Sequence, residues 1–189
     1  MKIGIYGGTF DPIHHGHLIL AREAMELLSL DRLVFVPNAI SPHKLDTQPA
    51  PANIRLEMIR AAIAGEDTMD VDDVELLREP PSYAVATARH FSALHPAAEL
   101  FYFIGQDNLH DLHTWKSIAD LRALVRFVVF DRGASTATDA VCDFPKIRRR
   151  VDISSTDIRQ RVASGLSIRY LVPNSVLEVI QRENLYQEP

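Results

Sequence analysis

The 189-residue sequence predicts an α/β doubly wound domain, a parallel sheet with helices on both faces. Three observations predict it. Short β-branched and aromatic runs alternate with segments of helical periodicity along almost the whole chain, the pattern of successive βα units. The length suits one compact domain with a sizeable core, so a single domain over 1–189 is expected, with a small helical portion at about 153–189. Finally, Gly7 and Gly8 follow one apolar run, Gly105 a second and Arg132 a third. In an open parallel sheet these positions fall together beyond the C-terminal ends of the strands, where ligands bind.

Each element has its own signal. KIGIY is a β-branched run ended by glycines, hence a buried strand. From Gly16 to Leu30 apolar residues recur at helical spacing (Leu18, Leu20, Ala21, Ala24, Met25, Leu27 and Leu28). RLVFVP is a second strand stopped by Pro37, and NAISPHKLDTQPAPAN, rich in proline, is a loop. A helix is expected from about Ile54 to Ala64, and Met69 to Val71 has the composition of a short strand. SYAVATARHFSALH reads as a helix with Ser82 as its cap, and ELFYFIG as a strongly buried strand. IADLRALV is a helix, RFVVFD a strand, and 133–146 a surface loop. SSTDIRQRVASG is a capped helix closed by Gly165, and VPNSVLEVIQREN a last helix with Pro173 near its start.

Bulk properties narrow the function classes. The formal net charge of −5 argues against a broad nucleic-acid surface, though not against a small basic pocket. No segment approaches the roughly 20 apolar residues of a membrane span. Cys142 is the only cysteine, so no intrachain disulfide can form, and a reducing compartment fits. The N-terminal apolar run is too short for a signal peptide. A cytoplasmic protein acting on small molecules, with neither nucleic-acid nor membrane partners, is the expectation.

The stretch YGGTFDPIHHGH, residues 6–17, asks for a ligand. Gly7 and Gly8 allow close approach to the backbone. The helix after His14 offers N–H groups and a partial positive charge of about half an elementary charge, a ready phosphate site. His14 and His17, three apart, can share a face on the first turn and donate to phosphoryl oxygens. His15 lies between them and is expected to point elsewhere. A zinc site from His14, His17, His110 and His113 is the weaker alternative, since neither a Cys pair nor HExxH accompanies them. Taken alone, SSTD is most simply a capping box, Ser154 bonding forward and Asp157 reaching back.

Together these stretches resemble a known family. GGTFDPIHHGH is similar to the HxGH signature of the nucleotidyltransferase superfamily, and ISSTDIR, residues 153–159, resembles its second signature. VPNAISPHK, PPSYAVAT and FIGQDNLHDLHTWKSI resemble segments of bacterial nicotinate-nucleotide adenylyltransferases, and the likeness continues through IRYLVPNSVLEVIQRENLY. The resemblance implies the Rossmann-like nucleotidyltransferase fold and transfer of the adenylyl group of ATP to nicotinate mononucleotide in NAD biosynthesis. Carried onto this chain, it implies ATP binding by Gly7, Gly8, Thr9, Phe10, His14, His17, Gly105, Asp107, Arg132, Ser154, Thr156 and Arg159. For the mononucleotide it implies Lys44, Tyr83, Ala84, Asp107 and Trp115, with backbone amides of Tyr83 and Ala84 meeting the pyridine carboxylate and Trp115 stacking on the ring. His14, His17, Lys44 and Arg159 are the implied catalytic set. Mg²⁺ is expected to arrive on the ATP phosphates, with no protein-held metal. Two departures stand out: Ala84 replaces the usual Thr, and Ala134 breaks the usual RPG ending.

The attacking phosphate is already an anion, so neither a general base nor a covalent intermediate is required, and positioning and charge screening carry the catalysis. Phosphopantetheine adenylyltransferase is the nearest rival but lacks the SY…GQD…W set. Use of nicotinamide mononucleotide, and a non-catalytic nucleotide sensor on the same fold, are the other readings. A monomer or a small homo-oligomer is expected.

Overall fold

The computed structural model describes residues 1–39, 48–131 and 144–187. The described residues form a six-stranded sheet in the order β3-β2-β1-β4-β5-β6. Its strands are β1 (Lys2–Gly8), β2 (Arg32–Pro37), β3 (Met69–Val71), β4 (Glu99–Gly105), β5 (Arg126–Asp131) and β6 (Lys146–Arg148), and every pairing is parallel. The chain winds outward from β1 in one direction and then restarts at β4 in the other. The switch point therefore lies between β1 and β4, whose C-terminal ends are Gly8 and Gly105.

Alternation along the strands feeds two cores. Tyr6, Leu33, Phe35, Phe101, Phe103, Val128 and Phe130 face one side and pack on α1 (His15–Leu28), α2 (Ala52–Ala62), α5 (Ser155–Ala163) and α6 (Asn174–Arg182). Ile3, Ile5, Val34, Val36, Tyr102, Ile104, Phe127 and Val129 face the other and pack on α3 (Ala84–Leu94) and α4 (Ile118–Leu124). The doubly wound expectation is met. The C-terminal segment is anchored on α2, where Ser175 Oγ donates to the Ala61 carbonyl at 2.9 Å and Arg182 pairs with Glu57.

Three details differ from the sequence reading. Helix α1 stops at Leu28, because Ser29 turns left-handed (φ 51°) and Leu30 drops into the core. Ser82 does not cap α3. The N-cap is Tyr83, and Ser82 Oγ instead accepts the Ala39 N–H at 3.1 Å, tying the loop after β2 to the start of α3. The expected loop ends early, since Lys146–Arg148 add to the sheet beside β5 as β6. Only Ile147 of that strand is buried, so no apolar run announces it.

Candidate active site

A cleft of about 1450 Å³ opens beyond the C-terminal ends of β1 and β4. A second hollow, of about 660 Å³, lies at the opposite ends of the strands beside Lys2, Glu99 and Arg126, away from both signatures.

One end of the cleft is built by the loop after β1 and the start of α1. His14 is the N-cap of α1, and its backbone N–H donates to Nδ1 of His17 at 3.3 Å. That bond is the return arm of a capping box, with imidazole where Glu or Gln usually stands. A backbone N–H can only donate, so Nδ1 accepts and the proton of the neutral ring sits on Nε2. The two rings stack at 3.7 Å and 22°, with His14 1% and His17 9% exposed. Phe10 and Tyr6 meet the His17 ring edge-on at 5.1 Å and 6.0 Å. An aromatic floor therefore fixes the orientation of His17. His15 does not line the cleft, and its backbone N–H donates to the Leu171 carbonyl at 3.0 Å.

The glycines serve packing as well as access. A Cβ on Gly8 would lie 2.9 Å from the ring of Phe10, and one on Gly7 would lie 2.9 Å from the Tyr102 hydroxyl. Phe10 itself is core, 2% exposed, and adopts φ 49°, an unusual conformation for a residue with a Cβ, in the loop between β1 and α1. Its side chain packs beneath His17.

Helix α5 brings a second N-terminus to the same end. Ser154 caps it by accepting the Asp157 N–H at 3.1 Å, the forward arm expected from the sequence. Ser155 Oγ donates to the Pro12 carbonyl at 2.9 Å, and Arg159 Nη1 donates to the Asp11 carbonyl at 2.8 Å. These bonds join stretches more than 140 residues apart. Two helix N-termini, Ser154, Thr156, the Arg159 guanidinium and the paired histidines thus face one volume.

At the other end, Tyr83 and Ala84 begin α3, whose first N–H groups have no acceptor within the helix. Trp115 stands beside them, held edge-on by Tyr102 at 6.4 Å and Phe127 at 6.5 Å. Its Nε1 is buried without an acceptor among the described residues. The Lys116 ammonium sits 4.1 Å over the Tyr83 ring, placing a cation at this end. Asp107 lies between the two ends in the turn after β4, and its carboxylate fills the space a Cβ on Gly105 would take.

Every described residue of the implied site lines this one cleft: Gly7, Gly8, Thr9, Phe10, His14, His17, Tyr83, Ala84, Gly105, Asp107, Trp115, Ser154, Thr156 and Arg159. Lys44 and Arg132 lie outside the described residues. His110 lines the cleft, whereas His113 does not. Among the described residues no group of three or more His, Cys, Asp or Glu side chains comes together as a metal site requires.

Sequence reasoning missed a supporting layer. Arg55 is 1% exposed and donates to the carbonyls of Ala50, Thr9 and Asn38 at 2.8–2.9 Å, tying the loop after β1 to both ends of the connection between β2 and α2. Buried Asp11 accepts from the Ala50 N–H at 3.2 Å and the Tyr186 hydroxyl at 2.7 Å. Glu75 accepts from Thr87 Oγ1 at 2.5 Å, and burial pushes its carboxyl above the usual range. Tyr102, also buried, is pushed up by burial and then by the Glu75 charge, so it keeps its proton. Nothing local in the sequence marks these residues, since their partners are distant carbonyls and side chains.

The geometry can be set beside known proteins. A cytidylyltransferase-like family model matches residues 5–161, which include both signatures. A probable nicotinate-nucleotide adenylyltransferase of Geobacillus thermodenitrificans is 43% identical over 189 residues, covering 98% of this chain and 86% of that protein. One of Opitutus terrae is 42% identical over 194 residues, covering 99% and 98%. Among solved structures, Plasmodium falciparum nicotinic acid mononucleotide adenylyltransferase complexed with NaAD superposes with a TM-score of 0.79, covering 98% of this chain and 97% of that one. At 19% identity that likeness speaks for the fold alone. The fold, the two converging signatures and relatives sharing more than two-fifths of their residues over nearly the whole chain agree, and this nucleotidyltransferase belongs to the nicotinate-nucleotide adenylyltransferase family.

Proposed function

We propose that the chain transfers the adenylyl group of ATP to nicotinate mononucleotide, giving nicotinate adenine dinucleotide and pyrophosphate in NAD biosynthesis. The transfer proceeds by direct in-line attack, without a covalent intermediate. One observation carries this reading: a single cleft has a phosphate-binding end, with stacked His14 and His17 between two helix N-termini, and an aromatic, amide-donating end at Trp115, Tyr83 and Ala84. The activity for which the relatives are named fits both ends.

In this scheme an oxygen of the mononucleotide phosphate forms a bond to the α-phosphorus of ATP. The bond from that phosphorus to the bridging oxygen breaks, and pyrophosphate leaves with the electron pair. The nucleophile is an anion at neutral pH, so no proton must be removed. The barrier that remains comes from bringing two polyanions together and stabilising charge on the α-phosphoryl oxygens. Nε2–H of His17, held by its Nδ1 contact, donates to an α-phosphoryl oxygen, and His14 stands beside it. The starts of α1 and α5 with Ser154, Thr156 and Arg159 hold the remaining phosphates. Mg²⁺ enters as part of the ATP substrate, where it neutralises phosphate charge. Asp107 meets ribose, and Trp115 stacks on the pyridine ring. Lys44 and Arg132 keep the roles the resemblance implies, Lys44 in the catalytic set and beside the mononucleotide, Arg132 beside ATP.

Stereochemistry tests the chemical step. With ATP carrying sulfur on the α-phosphorus in one configuration, a single in-line displacement yields dinucleotide inverted at phosphorus. Retention would require two displacements and would overturn the direct-transfer scheme.

A further inference from the structure

The C-terminal tail reaches the phosphate end of the cleft. After α6 the chain turns through Asn184 (φ 50°) and Tyr186 (φ 62°), both left-handed and sterically disfavoured for residues that carry a Cβ. The turn delivers the Tyr186 hydroxyl to Oδ1 of Asp11 at 2.7 Å, across 175 residues of sequence. Burial first, and the Asp11 charge second, push the Tyr186 phenol far up, so it remains a donor. Tyr186 also lines the cleft.

Asp11 is the hub of this corner. Oδ1 accepts from Tyr186 and from the Ala50 N–H. The Asp11 carbonyl accepts Arg159 Nη1 at 2.8 Å, and Oδ2 lies 3.9 Å from that nitrogen. Arg159 Nη2 reaches Thr156 Oγ1 at 3.4 Å. The Arg159 guanidinium is therefore bonded to the Asp11 main chain and lines the cleft, with the Asp11 carboxylate at ion-pair distance from it. A carboxylate only accepts, and each donor it gains weakens its hold on a neighbouring cation.

We propose that Tyr186 is a positioning residue for ATP. By donating to Asp11 it limits the pull of that carboxylate on Arg159 and leaves the guanidinium able to turn to the ATP phosphates. The inference rests on the proposed placement of Arg159 at those phosphates. A tail residue far from both signatures in sequence thereby tunes the phosphate site.

The experiment is steady-state kinetics of the full chain with each substrate varied in turn. Tyr186→Phe keeps the ring and its packing and removes only the hydroxyl. The expected result is a KM for ATP raised about tenfold, with the KM for nicotinate mononucleotide within twofold and the melting temperature lowered by a few degrees, because the buried Asp11 carboxylate loses one donor. In an Asp11→Asn background, where the competing charge is gone, Tyr186→Phe should add almost nothing. An unchanged KM for ATP, an equal rise in both KM values, or a full additive effect in the Asn background would each overturn the inference. Arg159→Ala separates the two levels of failure. If it leaves the KM for ATP unchanged, the placement of Arg159 fails and this inference with it. If it raises that KM while Tyr186→Phe does not, only the role of Tyr186 fails.

Discussion

Nδ1 of His17 is committed to the His14 amide, so a ligand in the cleft meets the other nitrogen as a donor. The HHGH stretch thus combines a helix cap with a donor aimed by that cap. His17→Ala should lower kcat by about two to three orders of magnitude, roughly 3 kcal/mol of lost transition-state stabilisation, while the protein still unfolds cooperatively. His15→Ala is the internal comparison and should be nearly silent, because His15 holds its place through a backbone bond and does not line the cleft. Circular dichroism melts alongside single-turnover rates check both statements, and a His17→Ala rate within a few-fold of wild type would remove the histidine from the mechanism. The spacing of His14 and His17 made this pair visible in the sequence, since three positions on a first helical turn share a face. Arg55 and Asp11 were not visible. An arginine inside an amphipathic helix looks like its solvated face, and only the folded chain shows it buried against three loop carbonyls.

Helix α1 sets the geometry of the stacked His14 and His17 rings through Gly16, the residue before His17. Gly16 occupies the second helical position, where alanine would normally favour the helix by about 1 kcal/mol. Here a Cβ would lie 2.9 Å from Nδ1 and 3.0 Å from Cε1 of His14, and 3.3 Å from Val151. The His14 ring is buried and stacked, so the clash displaces it relative to His17. Gly16→Ala is therefore expected to lower kcat by on the order of tenfold to a hundredfold, the effect of a sub-ångström misplacement, with a small change in melting temperature. Unchanged kcat would show that His14 need not hold this position. Among the elements, the long apolar strands and the helices with a regular apolar stripe were legible in the sequence. Strand β6 was not, because three residues with charged ends carry no periodic signal. Ser82 was misplaced because a hydroxyl before a helix caps it only when the backbone turns at that residue.

At the scale of the molecule, the strand order brings together stretches that lie far apart in sequence. Restarting the sheet at β4 sets Gly8 and Gly105 side by side at the switch point, and α5 and the tail close over the loop that leads into α1. The sequence suggested this convergence through the glycines that end the first and fourth strands. It could not show the tail's contact with Asp11, which depends on how α6 packs against α2. Both ends of the cleft matter to the central claim, transfer to the acid form of the pyridine mononucleotide. Amides at the start of α3 only donate. A carboxylate offers them acceptors in both positions, whereas a carboxamide turns its NH₂ toward one donor and leaves a mismatch of about 1–3 kcal/mol, tenfold to a hundredfold in selectivity. The decisive measurement is the ratio of kcat/KM for nicotinate mononucleotide to that for nicotinamide mononucleotide, with ATP saturating. A ratio of about ten or more, with the adenine dinucleotide and pyrophosphate formed in equal amounts, is the predicted result. A ratio near one, a preference for the amide, or no turnover with either would contradict the account.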